Sequence, residues 1–250
     1  MPSEEYIMID LVKAYRIDYL DQLPEDARYI GDHTNGEIEI IEDQEQIAII
    51  IEKLRKKLKS LDLSNHSVEN GDLGIVFEDE YIIVVRDPVV FPNGKTGTYL
   101  RIFERSCLDG PAGVVMIPFR DGLVYLRRIF RHASRQWELE CPRGIRPKDL
   151  SPSEAAEKEI LEEIGIGVRS VHELGTINPN TGLLVGAAKA YLVMLKSGES
   201  NPSPEETEAF GEIITLTIDQ LTEKISLGQI KDGYTLSALQ LAQAHGFLAR

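Results

Sequence analysis

The stretch Gly144–Ile166, which reads GIRPKDLSPSEAAEKEILEEIGI, decides the fold of this chain. Within it Ser151 is a strong helix N-cap, Pro152 suits the first helical position, and Glu154 completes an S-x-x-E capping box. Gly165 then supplies a stop signal, because glycine tolerates the left-handed conformation that commonly ends helices. The pattern predicts a capped helix that begins at Pro152 and ends just before Gly165.

A face of this predicted helix, next to its apolar stripe, carries three carboxylates. Glu159, Glu162 and Glu163 lie three and four residues apart, so their side chains are neighbours. Like charges at these spacings repel, and a hard divalent cation such as Mg²⁺ relieves the repulsion by taking carboxylate oxygens as ligands. The alternative is an acidic face that simply points into solvent. The helix pattern alone does not decide between a cation site and a solvated face.

The same stretch resembles the Nudix box, G-x5-E-x7-R-E-U-x-E-E-x-G-U, in which U is an aliphatic residue. Seven of its nine specified positions are kept at the right spacing, and they are Gly144, Glu159, Ile160, Glu162, Glu163, Gly165 and Ile166. Two positions depart, since Leu150 replaces the first glutamate and Lys158 replaces the arginine. In the family these two residues typically form an ion pair that braces the loop against the helix.

The resemblance extends over about residues 75–245 and is to the ADP-ribose pyrophosphatase branch of the family. Ile129–His132 (IFRH) and Glu140–Gly144 (ECPRG) are similar to a strand pair of that branch. The resemblance implies that Arg131 and Glu140 hold the substrate.

Further site residues follow from the same resemblance. The backbone carbonyl of Arg143, just before the box glycine, is expected to help Glu159, Glu162 and Glu163 bind metal. Pro179 lies where the branch often has a proline-bearing loop near the adenosine.

The resemblance implies hydrolysis of ADP-ribose or a related nucleoside diphosphate sugar to AMP and a sugar phosphate. Mg²⁺ is the expected cofactor, with Mn²⁺ as a substitute; it would neutralise phosphate charge and lower the pKa of a bound water. Glu162 would complete the metal shell or orient that water. The branch often takes a catalytic base from a late loop, and in residues 202–211 we favour Glu208, which precedes an apolar pair leading into the next strand.

Two other functional hypotheses stay open at this point. The altered pair Leu150 and Lys158 leaves room for a non-catalytic Nudix-fold module that binds a nucleotide and reports it through the N-terminal extension. The substrate could also be of another class, such as a dinucleoside polyphosphate or a capped RNA end. The formal net charge of −14 argues against long nucleic acid, which needs a basic face to displace counterions.

The sequence divides near residue 70 into an N-terminal extension, residues 1–70, and a predicted Nudix domain, residues 71–250. In the extension, residues 43–61 (DQEQIAIIIEKLRKKLKSL) predict a helix with Asp43 as its cap. Its apolar stripe consists of Ile47, Ile50, Ile51, Leu54, Leu58 and Leu61. That stripe must be buried either on the Nudix domain or on a partner subunit. Because members of the branch are frequently homodimers, we expect a homodimer.

After residue 70 short β-rich runs surround one central helix. Arg120-Asp121-Gly122 predicts a hairpin joining the runs 112–119 and 123–130. Strands before and after a single helix indicate a mixed α/β sandwich, not regular βαβ alternation.

The sequence also predicts a cytoplasmic protein that does not associate with membranes. Its purely apolar runs, such as residues 47–51, are far below the roughly 20 residues that span a bilayer. The acidic N-terminus lacks the basic-then-apolar order of a secretory signal. Only two cysteines are present, too few for a disulfide framework, and we interpret Cys141 as a small core hydrophobe.

Overall fold

The structure is a computed structural model that describes residues 17–23, 25–60, 73–110, 113–147, 149–203 and 210–248. The chain forms two compact units, the first comprising residues 1–108 and 180–185 and the second residues 109–179 and 186–250. The predicted boundary between residues 70 and 71 lies outside the described residues and stays a prediction.

The strands of the described residues are, in chain order, β1 (Glu39–Ile40), β2 (Gly74–Glu78), β3 (Ile82–Val90), β4 (Thr96–Glu104), β5 (Gly113–Arg120), β6 (Leu123–Arg131), β7 (Gln136–Glu140), β8 (Arg143–Ile145), β9 (Val168–Ile177), β10 (Leu184–Val185), β11 (Ala188–Leu195) and β12 (Phe210–Thr217). The α-helices are α1 (Gln44–Ser60), α2 (Pro152–Glu163), α3 (Ile218–Ser226) and α4 (Gly233–Ala244). Short 3₁₀ helices lie at Ile17–Gln22, Glu25–Arg28, His33–Asn35 and Arg105–Asp109. No helix within these described ranges is both long and apolar enough to cross a membrane.

The first unit is a sheet covered by α1. Its strand order is β1–β3–β4–β10, with β2 paired to β3. Asp43 caps α1 by accepting a hydrogen bond from the Gln46 amide at 2.9 Å, as predicted. The buried side chains of the apolar stripe, Ile47, Ile50 and Ile51, share one cluster with Ile83, Val85 and Phe103 of the sheet. This part of the stripe is therefore buried within the chain itself.

A buried carboxylate, Asp87, organises the polar interior of the first unit. The Tyr19 hydroxyl donates to it, and Nε and Nη2 of Arg101 donate to its two oxygens at 2.6 and 2.8 Å. The remaining guanidinium nitrogen of Arg101 donates to the Ala27 carbonyl at 2.8 Å. A charge that is both paired and hydrogen-bonded in this way is tolerated in a protein interior.

The second unit is built on a mixed sheet in the order β12–β6–β5–β11–β9. β5 and β11 run parallel, from the pair Gly113 and Ala188 onward, and the other pairs are antiparallel. β7 extends the ladder of β6, and β8 extends that of β5. The predicted hairpin is confirmed: β5 and β6 are joined by a two-residue turn in which Asp121 and Gly122 have φ of 52° and 78°.

Helices cover both faces of this sheet. Along β5 the side chains alternate, as a period of two requires. Val114 and Met116 lie in a cluster with the buried stripe of α2, whereas Val115 and Ile117 lie in a second cluster with residues of α3 and α4. The predicted mixed α/β sandwich is confirmed, and it holds α2 against one face of the central strands.

Candidate active site

The N-terminus of α2 is capped as the sequence predicts. Ser151 accepts a hydrogen bond from the Glu154 amide at 3.3 Å, and the Glu154 carboxylate accepts one from the Ser151 amide at 2.9 Å. The hydrogen bond from the Ser151 side chain, aided by that from its backbone, lowers the pKa of Glu154. This reciprocal capping box fixes where the helix begins and therefore which side chains share its faces.

The C-terminus of α2 is closed by residues 198–203 and requires a glycine. Gly165 has φ of +70°, and a Cβ added there would lie 2.1 Å from the carbonyl carbon of Asn201. Ser200 Oγ donates to the Ile164 carbonyl at 2.6 Å, and the Ser203 amide donates to the Glu162 carbonyl at 2.8 Å. The glycine thus allows both the left-handed turn and the close approach of this segment to the end of the carboxylate helix.

Glu159 lies directly over the backbone of Gly144. A Cβ built on Gly144 would meet the Glu159 carboxyl carbon and one oxygen at 2.1 Å and the other oxygen at 2.4 Å. Any side chain at position 144 would therefore displace this carboxylate. The first glycine and the first helical glutamate of the box are kept together because the carboxylate occupies the space that a side chain would fill.

Glu163 is buried against an arginine that the sequence analysis did not assign to the site. Its side chain is 2% exposed, that of Arg127 on β6 is 1% exposed, and Nη1 of Arg127 contacts Oε1 of Glu163. Burying two charges is expensive unless each neutralises the other, so this ion pair is a strong constraint on both side chains.

The two residues that differ from the Nudix box pattern, Leu150 and Lys158, both make contacts in the structure. Lys158 forms an i,i+4 ion pair with Glu162, with Nζ 3.3 Å from Oε2, and Leu150 packs against the apolar cluster beneath α2. An exposed pair of this kind contributes only about 0.3–0.5 kcal/mol. The lysine therefore neutralises one box glutamate locally, and the leucine replaces an ionic brace with an apolar contact.

Arg131 and Glu140, the predicted substrate residues, lie against each other. Nε and Nη2 of Arg131 donate to Oε2 of Glu140 at 3.0 and 2.6 Å, and the Glu140 side chain is 1% exposed. Burial would lower the pKa of Arg131, but its hydrogen bond to Glu140 and the charges of Glu140, Asp232 and Glu163 raise it above the ordinary value. In this structure, therefore, the arginine and the carboxylate hold each other.

Arg143 connects this pair to the start of α4. Its guanidinium lies 3.3 Å from the Glu140 carboxylate and 3.4 Å from that of Asp232. Its backbone belongs to β8, where it is the partner of Val115 in β5. The guanidinium carbon of Arg143 also lies 5.0 Å from the centre of the Tyr234 ring, within the range of a cation–π contact.

Asp232 and Thr235, which the sequence analysis did not single out, support the strand that carries Glu140. Asp232 caps α4 by accepting hydrogen bonds from the Thr235 amide and hydroxyl, both at 2.8 Å. The Thr235 oxygen accepts a hydrogen bond from the Cys141 amide at 2.9 Å. Burial raises the pKa of the Cys141 thiol, which agrees with its interpretation as a core hydrophobe. The D-x-x-T pattern of a helix N-terminus was the available sequence signal.

Two predicted residues are not brought into this network. Pro179 is exposed just after β9, and Glu208 lies outside the described residues. Their roles, like those of the other predicted site residues, stay predictions.

The oxygen-bearing side chains of the box only partly form the kind of site that a divalent cation requires. Glu159 and Glu162 are half-buried carboxylates of α2, and the Glu159 carboxylate lies beside the side-chain-free backbone of Gly144. The three box glutamates do not converge as tightly as Asp32, His33 and Glu39 of the first unit, whose ligand atoms all lie within 4.8 Å of one another. These three residues already make local hydrogen bonds. The Thr34 amide donates one to the Asp32 carboxylate, and Nδ1 of His33 is hydrogen-bonded to the Glu39 carboxylate. Among the three predicted ligands of the box, Glu163 is the one that is paired with a buried arginine, Arg127.

Comparisons with known proteins agree with this architecture. A family model described as the NUDIX domain matches residues 110–236, about half of the chain. A methanol dehydrogenase activator from Bacillus methanolicus is 23% identical over 169 residues, which cover 67% of this chain and 88% of the activator. A GDP-mannose pyrophosphatase from Yersinia enterocolitica is 31% identical over 116 residues, covering 44% of this chain and 58% of that enzyme.

Among solved structures, an ADP compounds hydrolase is similar with a TM-score of 0.56 and 19% identity, covering 69% of this chain and 92% of the hydrolase. At this identity the likeness concerns the fold. The match of the family model and the glycine-backed carboxylate helix confirm the predicted family and favour the enzyme over the non-catalytic module: the chain belongs to the Nudix family and is a hydrolase of pyrophosphate bonds in nucleoside diphosphate derivatives.

Proposed function

We propose that this protein is a Mg²⁺-dependent pyrophosphohydrolase that cleaves the diphosphate of ADP-ribose, or of a related nucleoside diphosphate sugar, to AMP and a sugar phosphate. The observation that carries this proposal is the Glu159 carboxylate, which the capped helix α2 holds against the side-chain-free backbone of Gly144. The similarity to a GDP-mannose pyrophosphatase supports a nucleotide sugar as the substrate class.

The proposed cation ligands are Glu159, Glu162, Glu163 and the backbone carbonyl of Arg143. When bound, Mg²⁺, or Mn²⁺ in its place, would neutralise phosphate charge and lower the pKa of a coordinated water. Glu159 and Glu162 are accessible for this role, whereas Glu163 must first leave Arg127. Glu208 is our proposed base for the attacking water, and Pro179 our proposed contact to the adenosine.

Arg131 is our proposed ligand for the diphosphate, because a planar guanidinium donates to two phosphate oxygens at once. To bind the diphosphate, Arg131 must replace at least part of its contact with Glu140 by contacts with phosphate oxygens. Arg143 lies 3.3 Å from the same carboxylate and remains there as a counter-charge. Since a buried carboxylate left alone is costly, this second arginine makes the exchange energetically accessible. The arrangement supports Arg131 as a phosphate ligand and Glu140 as the residue that positions it and lines the substrate site.

A regulatory role beside hydrolysis is the second candidate function. It is favoured by one observation, the similarity over most of its length to a protein named methanol dehydrogenase activator. Such a role would require a partner protein, which co-purification from native cells would test.

We also propose that the protein is a cytoplasmic homodimer. Light scattering that gives the 28.0 kDa mass of one chain would contradict the dimer.

The hydrolase proposal is tested by following AMP release from ADP-ribose, and GMP release from GDP-mannose, with and without Mg²⁺. We expect turnover in the wild type that requires Mg²⁺ and is lost in Glu159→Gln. Glu157→Gln, an exposed carboxylate of the same helix, is the matched control and should retain wild-type turnover. Turnover that persists in Glu159→Gln would contradict the proposed site. Tight ADP-ribose binding without turnover would favour a regulator.

A further inference from the structure

The buried pair Arg127–Glu163 places a permanent positive charge on a carboxylate of the Nudix box. Both side chains are almost completely buried, at 1% and 2% exposed. Arg127 comes from β6 and Glu163 from the last turn of α2, so the pair joins two elements that are distant in sequence. Neither partner can turn into solvent without disrupting packing, so the pair is a fixed feature of the resting molecule.

A second basic side chain, that of Lys158, places a positive charge beside the neighbouring glutamate, Glu162. Lys158 lies 3.3 Å from Glu162 and stands where the box has an arginine. The chain itself therefore supplies cations to at least two of the box carboxylates. The repulsion between like charges on this helix face is relieved without a metal ion.

The two internal cations differ in how easily they can be displaced. The Lys158–Glu162 pair is 46% and 37% exposed, so water can replace either partner. Arg127 has no such freedom. It is directly opposite Glu140 in the β6–β7 ladder, and Arg131, four residues further along β6, is bound to that same carboxylate. A divalent cation that approaches Glu163 would meet the guanidinium of Arg127 at close range and in a site of low dielectric constant, where like charges repel strongly.

We propose that Arg127 competes with the divalent cation for Glu163 and thereby sets the cation affinity of the site. In this proposal, which rests on the proposed function above, Arg127 is a positioning residue. It keeps Glu163 withdrawn in the resting protein and leaves Glu159 and Glu162 as the first ligands. For Glu163 to hold a divalent cation, its carboxylate would have to be released from Arg127.

The test measures cation binding directly, with Mn²⁺ as the probe and electron paramagnetic resonance to count the free ion. Arg127→Gln removes the competing charge and should bind Mn²⁺ at least about tenfold more tightly than the wild type, or bind one more ion. Glu163→Gln and the double variant Arg127→Gln/Glu163→Gln complete a double-mutant cycle. The gain should vanish when Glu163 is also changed, because the competition needs its charge.

A matched control separates this effect from the general cost of disrupting a buried ion pair. Arg101→Gln breaks the Arg101–Asp87 pair of the first unit, whose side chains are 19% and 3% exposed. It should leave Mn²⁺ affinity at the wild-type value. If Arg127→Gln is unfolded without metal, Mn²⁺ should restore its fold, since the divalent ion then takes over the neutralisation of Glu163.

The outcomes that overturn the proposal are distinct. Mn²⁺ binding by Arg127→Gln that is equal to or weaker than that of the wild type contradicts the competition, and so does a gain that persists in the double variant. A variant that stays unfolded at saturating Mn²⁺ contradicts it as well. If these results appear while the wild type hydrolyses ADP-ribose, only this proposal fails. If neither protein binds Mn²⁺ and neither has activity, the proposed function fails with it.

Discussion

The contact between Gly144 and Glu159 makes a sharp prediction for the variant Gly144→Ala. The new methyl group would begin 2.1 Å from the Glu159 carboxyl carbon, whereas non-bonded carbon atoms come no closer than about 3.5 Å at their optimal separation. The carboxylate must therefore move by more than about 1 Å. Because it is the end of a flexible side chain, the displacement costs only a rotamer change of about 0.5–1.5 kcal/mol.

The same displacement should have a much larger effect on catalysis. A misplacement of about 1 Å at a reacting group can reduce a rate by about 100-fold. We therefore expect Gly144→Ala to lose about 100-fold in kcat/KM for ADP-ribose, while its melting temperature falls by no more than about 6 °C. Steady-state kinetics and differential scanning calorimetry measure the two effects separately.

A matched glycine variant controls for the added methyl group. Gly167→Ala places its Cβ at an ordinary contact of 3.4 Å from the side chain of Lys196, and should keep both wild-type activity and stability. Wild-type turnover in Gly144→Ala would refute the catalytic placement of Glu159. A large loss of stability with unchanged turnover per folded molecule would mean that the contact serves folding alone.

Three further predictions concern stability. Glu163→Gln should lower the free energy of unfolding by about 3–5 kcal/mol, because it removes the charge that neutralises the buried Arg127; urea denaturation measures this, and an unchanged midpoint would contradict it. Thr235→Val should cost about 1–3 kcal/mol by leaving the buried Cys141 amide without its acceptor, with Thr235→Ser as the control that retains the bond. The capping-box carboxylate Glu154 has a lowered pKa in the folded state, so its contribution to stability is present above its ordinary pKa of 4.5 and is lost as the pH falls below that value. The stability difference between the wild type and Glu154→Gln should therefore shrink on acidification, and a difference independent of pH would refute this.

Much of the fold can be predicted from the sequence because its decisive signals are local. The cap at Ser151, the hairpin turn at Asp121 and Gly122, and the apolar stripe of α1 each depend on residues within one or two turns of each other. Gly165 is readable for the same reason, since its positive φ ends α2 directly after the last turn of the helix.

The ion pairs of the site could not be predicted in the same way because they depend on contacts between distant elements. Arg127 and Glu163 are 36 positions apart and meet only once β6 and α2 pack together. The sequence did contain one signal that Arg127 has a buried partner. Arg127 lies between Tyr125 and Ile129 at a spacing of two, and both are buried. An arginine on the inward side of a strand requires a buried partner of opposite charge, and the box helix offered three.

The clustering of carboxylates on one helix face is a weaker argument for metal than it looks in the sequence. Repulsion between Glu159, Glu162 and Glu163 demands some positive charge nearby, but Lys158 and Arg127 already supply two. The charge of the helix face alone therefore does not require a divalent cation. The position of the Glu159 carboxylate is defined by a further contact, with the backbone of Gly144, which has no side chain. If the proposals above are right, the affinity of this site for a divalent cation depends on how readily Arg127 releases the Glu163 carboxylate.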